Sequence, residues 1–201
     1  MINADQALLR LKEGNEKFYS SEKAIIEVSA ASRSEQMDAQ YPFAIILGCS
    51  DSRVPVELIF GQGPGDLFVI RVAGNVVAPS QIGSVEFAAK MFGTKLVIVL
   101  GHSMCGAVQT TLDELAQPTE SRSPNLHSIV DRIRPGIENL ISANQSPRDN
   151  ELLARAVRAN IEASVEGLRH GSEILETLIQ NQELKIVGAE YSLESGVVEF
   201  L

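Results

Sequence analysis

Cysteine is scarce in this 201-residue sequence, with two residues in all, and basic side chains are outnumbered, 17 Lys and Arg against 26 Asp and Glu. The length suits one domain, residues 1–201, able to bury a core without covalent staples, so fold stability does not explain the cysteines. A formal net charge of -9, with no basic stripe, argues against nucleic-acid binding, which needs clustered cations to neutralise phosphates. Long apolar runs are missing too. The longest, around Phe43 to Leu47 and Leu96 to Leu100, are far too short to cross a bilayer, so no membrane association and a soluble protein are expected. Residues Met1 to Asp5 lack the basic start and apolar core of a signal peptide, which points to a cytoplasmic, reducing location. There a disulfide is the least expected use of two cysteines, leaving inert buried thiols or metal ligands.

Short apolar runs alternate with longer helical patterns, the signature of an α/β fold with a mostly parallel central β-sheet flanked by helices. The strand candidates are Phe43–Leu47, Leu67–Val72, Leu96–Leu100 and Leu184–Ala189. Pro79 and Ser80 open a helix through Phe92, with Ser80 as N-cap and Gly93 as terminator. From Asn150 to about Gln180, Leu153, Val157, Ile161, Val165, Leu168, Leu175 and Ile179 recur near helical spacing, with a break expected at Gly171. Leu8, Leu11 and Phe18 mark an N-terminal helix that ends before a polar segment at Ser29 to Ser34, and Gln117 to Ser123 reads as a loop. No internal repeat or low-complexity linker is present. The glycine-rich Gly61 to Gly65 lacks the Lys-Ser/Thr of a phosphate loop and the order of a dinucleotide fingerprint, so it reads as a turn and weakens a nucleotide-binding role.

The chemistry gathers after two of the buried strands. Cys49 follows the first in Cys-Ser-Asp-Ser-Arg-Val (49–54), and His102 and Cys105 follow the third in Gly-His-Ser-Met-Cys-Gly (101–106). Carboxyl ends of parallel strands form a crevice at a switch in strand order, where ligands distant in sequence converge. Two thiolates and an imidazole are a soft, zinc-preferring set, and three protein ligands leave a fourth position open, as catalytic sites do. A buried cysteine is often only a small hydrophobe, however, and a His-x-x-Cys pair alone is a weak signal. Asp51 and Arg53 add weight, because an acid and a base at the end of a buried strand are costly to desolvate unless they pair or meet a metal.

These two segments resemble the signature segments of the β-carbonic anhydrases, in that family's order. Pro64 to Asn75 resembles the family's next strand and turn, and Gly188 to Gly196 its C-terminal hairpin. The resemblance implies one zinc per chain on Cys49, His102 and Cys105 and reversible hydration of carbon dioxide to bicarbonate by a zinc-bound hydroxide. It further implies that Asp51 orients that hydroxide while Arg53 grips the carboxylate through two parallel bonds. The sequence is more similar to the plant-type line. There Gln40 corresponds to a donor to substrate oxygen, Phe68 and Ala73 to an apolar wall, and the Gly106 amide to a further donor. Phe87 stands where that line often has tyrosine, which keeps the ring and loses the hydroxyl. The family also implies a homodimer or higher oligomer, with an extended N-terminal helical arm on the partner and pockets completed by it.

The family's other line has a bicarbonate gate built from a tryptophan, an arginine and a tyrosine. Arg71 and Tyr191 match two members, whereas Ile46 occupies the tryptophan's place. Competing readings are a carbonyl sulfide or carbon disulfide hydrolase on the same scaffold, and a non-catalytic zinc or bicarbonate-sensing module, against which Asp51, Arg53 and Gln40 speak. His127 and His170 read as surface histidines in helical segments, able to shuttle protons if near the cleft.

Overall fold

In a computed structural model, residues 2–20, 36–117, 123–141 and 146–201 are described. The polar segment at Ser29 to Ser34, and all of the Gln117 to Ser123 loop but its two ends, lie outside them. The chain runs α1 (Ala4–Tyr19), β1 (Ala44–Gly48), α2 (Val56–Ile59), β2 (Leu67–Arg71), α3 (Pro79–Phe92), β3 (Leu96–His102), α4 (Gly106–Ala116), α5 (Pro124–Ile137), α6 (Asn150–His170), α7 (Glu173–Gln180), β4 (Lys185–Tyr191) and β5 (Val198–Phe200). A short 3-10 turn at Ala73–Asn75 joins β2 to α3. The sheet order is β2-β1-β3-β4-β5, parallel except for the antiparallel β5. The expected α/β fold is thus present, and the C-terminal hairpin is β4–β5.

Alternation along the central strands explains why both faces of the sheet are covered. Ile45, Leu47, Val97 and Val99 point into a core shared with α3 to α7, whereas Ala44, Ile46, Leu96, Ile98 and Leu100 point into a second core under α1 and α2. Period-two projection sends successive residues to opposite faces, so strands with apolar residues at every position must be sandwiched.

The helix termini follow local chemistry. Pro79, not Ser80, sets the start of α3: proline sits at the first helical position, where no amide hydrogen is needed, and Ala78 becomes the cap without a side-chain bond. Gly93 ends α3 in a left-handed conformation, φ 64°. The break at Gly171 separates α6 from α7, which Ser172 caps by accepting from the Leu175 amide.

The N-terminal helix expected as an arm also packs on its own chain. Ala7 and Leu11 are buried against this chain's own sheet. Asn15 donates to the Ile59 and Gly196 carbonyls and accepts from the Val198 amide. No helix among the described residues is long and apolar enough to cross a membrane.

Candidate metal centre

After β1 the chain moves to β2 on one side, while β3 lies on the other side of β1. The loops leaving β1 and β3 therefore diverge, and the crevice between them is the switch point where ligand sites form. Gly48 pairs with Leu100, so Cys49, the first residue past β1, and His102, the last of β3, emerge side by side. Met104 adopts φ 58°, a left-handed conformation uncommon outside glycine and asparagine, and the reversal brings Cys105 back to cap α4.

The donor atoms of Cys49, His102 and Cys105 all lie within 4.8 Å of one another, and all three residues are buried. His102 is wholly buried. Its Nδ1 lies 2.9 Å from the Ser103 carbonyl oxygen; because an oxygen can only accept, Nδ1 carries the proton and Nε2 keeps its lone pair. That Nε2 is buried without a hydrogen-bond partner. An unmet imidazole lone pair beside two thiols is what a metal ion would satisfy, and the soft donor set fits zinc.

The thiols are electrostatically linked. Cys49 is drawn well below the usual thiol range, first by a hydrogen bond from Cys105, against burial, with the Gly74 amide acting the same way. Cys105 is pushed up by the same contact and by burial, although the Val108 and Ala107 amides act the other way. The Gly74 amide donates to Cys49 Sγ at 3.3 Å.

Asp51 and Arg53 form the two-pronged pair that the family resemblance implies. Arg53 donates from Nε to Oδ1 at 2.9 Å and from Nη2 to Oδ2 at 2.7 Å, and its own backbone amide also reaches Oδ1. These contacts, the side-chain bond foremost, hold the Asp51 carboxyl well below its ordinary value. Asp51 Oδ2 stands 3.9 Å from His102 Nε2, so the carboxylate borders the position the donors surround. Arg71 ties the loop from below, donating to the Cys49 carbonyl at 3.1 Å and the Asp51 carbonyl at 2.7 Å.

The residues expected to bind substrate fall into two groups. Ala73 and Gly106, each next to residues of the centre, share a cavity of about 430 Å³ with Ala107, Thr110, Leu126, Ile129 and Val130. Gln40, Phe68 and Phe87 do not join them in this chain. Phe68 is in register with Ile45, four residues before Cys49, or about 13 Å at roughly 3.3 Å per residue. Its ring packs with Phe87 and Phe92 at centroid distances of 6.3 and 6.0 Å, and Gln40 lies exposed before β1. His170 is exposed and 3.2 Å from Glu166; neither it nor His127 belongs to the donor group.

Three neighbours of the centre escaped sequence reasoning: Gly74, Asn160 and Ser164. Asn160 donates to the Gly74 carbonyl at 2.9 Å and Ser164 to the Asn75 carbonyl at 3.1 Å. The available signal was two polar residues four apart on the apolar stripe of α6.

A family model described as carbonic anhydrase matches residues 44–198. A carbonic anhydrase of Mycolicibacterium smegmatis is 35% identical over 196 residues, covering 94% of this chain and 89% of that protein. Among solved structures, the β-carbonic anhydrase CcaA superposes with TM-score 0.76 at 28% identity over 97% of this chain and 87% of that one. One of two tetrameric β-carbonic anhydrases from Sordaria macrospora does so at 0.70 and 25%, over 86% and 90%.

Proposed function

The chain belongs to the β-carbonic anhydrase family, and from that membership we propose that it hydrates carbon dioxide reversibly with one zinc ion per chain held by Cys49, His102 and Cys105. The observation that carries this reading is the buried, unpartnered Nε2 of His102 facing two thiols, with a carboxylate oxygen 3.9 Å away. When bound, zinc supplies Lewis acidity that makes hydroxide available near neutral pH.

The chain's own residues do the rest. Asp51 accepts a hydrogen bond from the attacking hydroxide and aims its lone pair at the carbon of carbon dioxide. Arg53 keeps Asp51 ionised and oriented. The amide of Gly106 donates to a bicarbonate oxygen, and Ala73 gives the small apolar substrate an apolar wall.

The working unit we propose is a homodimer or larger assembly of 1–201 single-domain chains. Phe68 lies about 13 Å along the sheet from the register of Cys49 and packs against Phe87, so we propose that a second copy presents these rings, and Gln40, to the pocket. The tetrameric Sordaria relatives and the exposure of Phe87 and Met91 support this reading.

The test is metal analysis combined with turnover on carbon dioxide and on carbonyl sulfide. About one zinc per chain is expected, with carbon dioxide preferred, and Cys49→Ser or Cys105→Ser should lose metal and activity together. Absence of zinc from freshly purified native protein would sink the assignment; preference for carbonyl sulfide would move it to the sulfide hydrolases on this scaffold.

A further inference from the structure

Two polar side chains interrupt the buried stripe of α6, and both reach the same turn. Asn160 is 2% exposed and Ser164 5%. Burying an amide or hydroxyl is costly unless it is hydrogen-bonded. Being four residues apart they share one helix face, and they donate to the consecutive carbonyls of Gly74 and Asn75.

We infer that Asn160 and Ser164 are positioning residues for the Cys49 thiolate: they hold the Ala73–Asn75 turn so that the Gly74 amide stays on the sulfur. The inference rests on the zinc reading above. Gly74 and Asn75 both have positive φ, 68° and 45°, so their carbonyls are not held by a helical or sheet ladder. The turn is also tightly housed, since a Cβ on Gly74 would lie 2.8 Å from Ile133 Cδ1.

Close approach of α6 makes the contact possible. Ile161, between the two donors in sequence, packs where Gly101 and Gly188 have no side chains; a Cβ there would stand 2.5 and 2.9 Å from its carbon atoms. Gly101 directly precedes His102, so one packing contact seats α6 against the strand that carries a ligand.

The two sulfurs are therefore supported differently. Cys105 faces the Ala107 and Val108 amides at the start of α4, which the helix itself holds in place. Cys49 faces an amide in a turn, and that turn is fastened from α6. An N–H donor on a thiolate withdraws charge from it and fixes its direction toward the metal, and loss of partners of this kind typically weakens metal binding or activity by about 10–100-fold.

The experiment compares Ser164→Ala, Ser164→Thr and the double variant Asn160→Leu/Ser164→Ala with wild type. Three quantities are read: the rate of zinc transfer to a chromogenic chelator, the thiolate-to-metal charge-transfer band after cobalt(II) substitution, and thermal unfolding of the zinc-free form. Zinc loss should accelerate in Ser164→Ala and by on the order of 10–100-fold in the double variant, with a shifted cobalt band; Ser164→Thr, which keeps the hydroxyl, should match wild type. A purely structural role would lower the melting temperature of the zinc-free form and leave zinc loss and the cobalt band unmoved, which overturns the inference. If the double variant fails to fold, the Ser164→Ala and Ser164→Thr pair decides. Native protein without zinc would overturn the metal assignment as well, whereas zinc-bearing native protein with unmoved variants overturns this inference alone.

Discussion

At the carboxyl ends of β1 and β3, the three donors proposed for zinc converge within a single chain, and the groups around them, Arg53, Arg71, Gly74, Asn160 and Ser164, come from the same molecule. Toward the amino ends of β1 and β2 the situation reverses. Phe87 and Met91 are 50% and 67% exposed, the Phe68–Phe87–Phe92 cluster opens outward, and Gln40 faces solvent. On the proposed reading, activation of the nucleophile and recognition of the substrate have separate structural origins. Strand order and one tight turn would supply the first, and contact between chains the second.

The largest expected effect comes from breaking the carboxyl end alone. Asp51→Asn keeps the size of the side chain but removes the ionised acceptor, so the amide can no longer take Arg53's two donors as a carboxylate does. Zinc should stay, because its three donors are untouched. Hydration activity should fall on the order of 100-fold or more, the cost of losing the orientation of a reacting group. Stopped-flow turnover beside metal analysis checks both halves. Near wild-type turnover would remove Asp51 from the mechanism.

Much of this end was legible in the sequence, since Cys49 and His102 directly continue apolar runs that could only be buried strands, and such strand ends are where sites form. Asn160 and Ser164 were not legible, because a polar residue on a helix stripe declares a purpose only when the carbonyl it meets is known, and those carbonyls lie 86 and 89 residues away. The start of α3 was misplaced by one cap because Ser80 is a good cap in isolation, whereas Pro79 fits the first helical position better. The amphipathic face of α1 was evident, but amphipathicity does not name the surface that covers it. In the structure that surface is the chain's own sheet and α2.

A smaller effect is expected from breaking the other end. Phe87 and Met91 lie one helical turn apart on α3, and Met91 in particular has little to lose within its own chain. Met91→Lys, alone or with Phe87→Glu, should leave zinc content and monomer folding intact while shifting the assembly toward monomers in light scattering. Activity should fall with dissociation, on the order of tenfold or more, as substrate-positioning groups are withdrawn. A fully active monomer would show that the centre needs nothing from a second copy and would collapse the distinction between the two ends.

The smallest effect, close to none, is expected from bicarbonate acting away from the metal, and the reason lies midway along the sheet. In the gated line of the family a tryptophan, an arginine and a tyrosine hold bicarbonate, which favours a state in which the aspartate leaves its arginine. Here Ile46 takes the tryptophan's place and is wholly buried in the core under α1 and α2. Its side chain has no N–H to offer, so a bicarbonate ion there would lack the indole's donor in a desolvated setting, at a cost of about 1–3 kcal/mol or more for a charged group. Arg71 is already engaged, donating to the Cys49 and Asp51 carbonyls. Tyr191 is buried, its ring 6.4 Å from Phe18, with burial pushing its phenol up. A ligand shifts a two-state equilibrium only by its differential affinity for the two states, so weak binding gives weak control, and Asp51 should remain on Arg53. A crystal structure at neutral pH with bicarbonate checks this. Asp51 moved onto the metal, with bicarbonate lodged between Arg71 and Tyr191, would show that the gate works without its tryptophan and that Arg71 can release the loop it now ties.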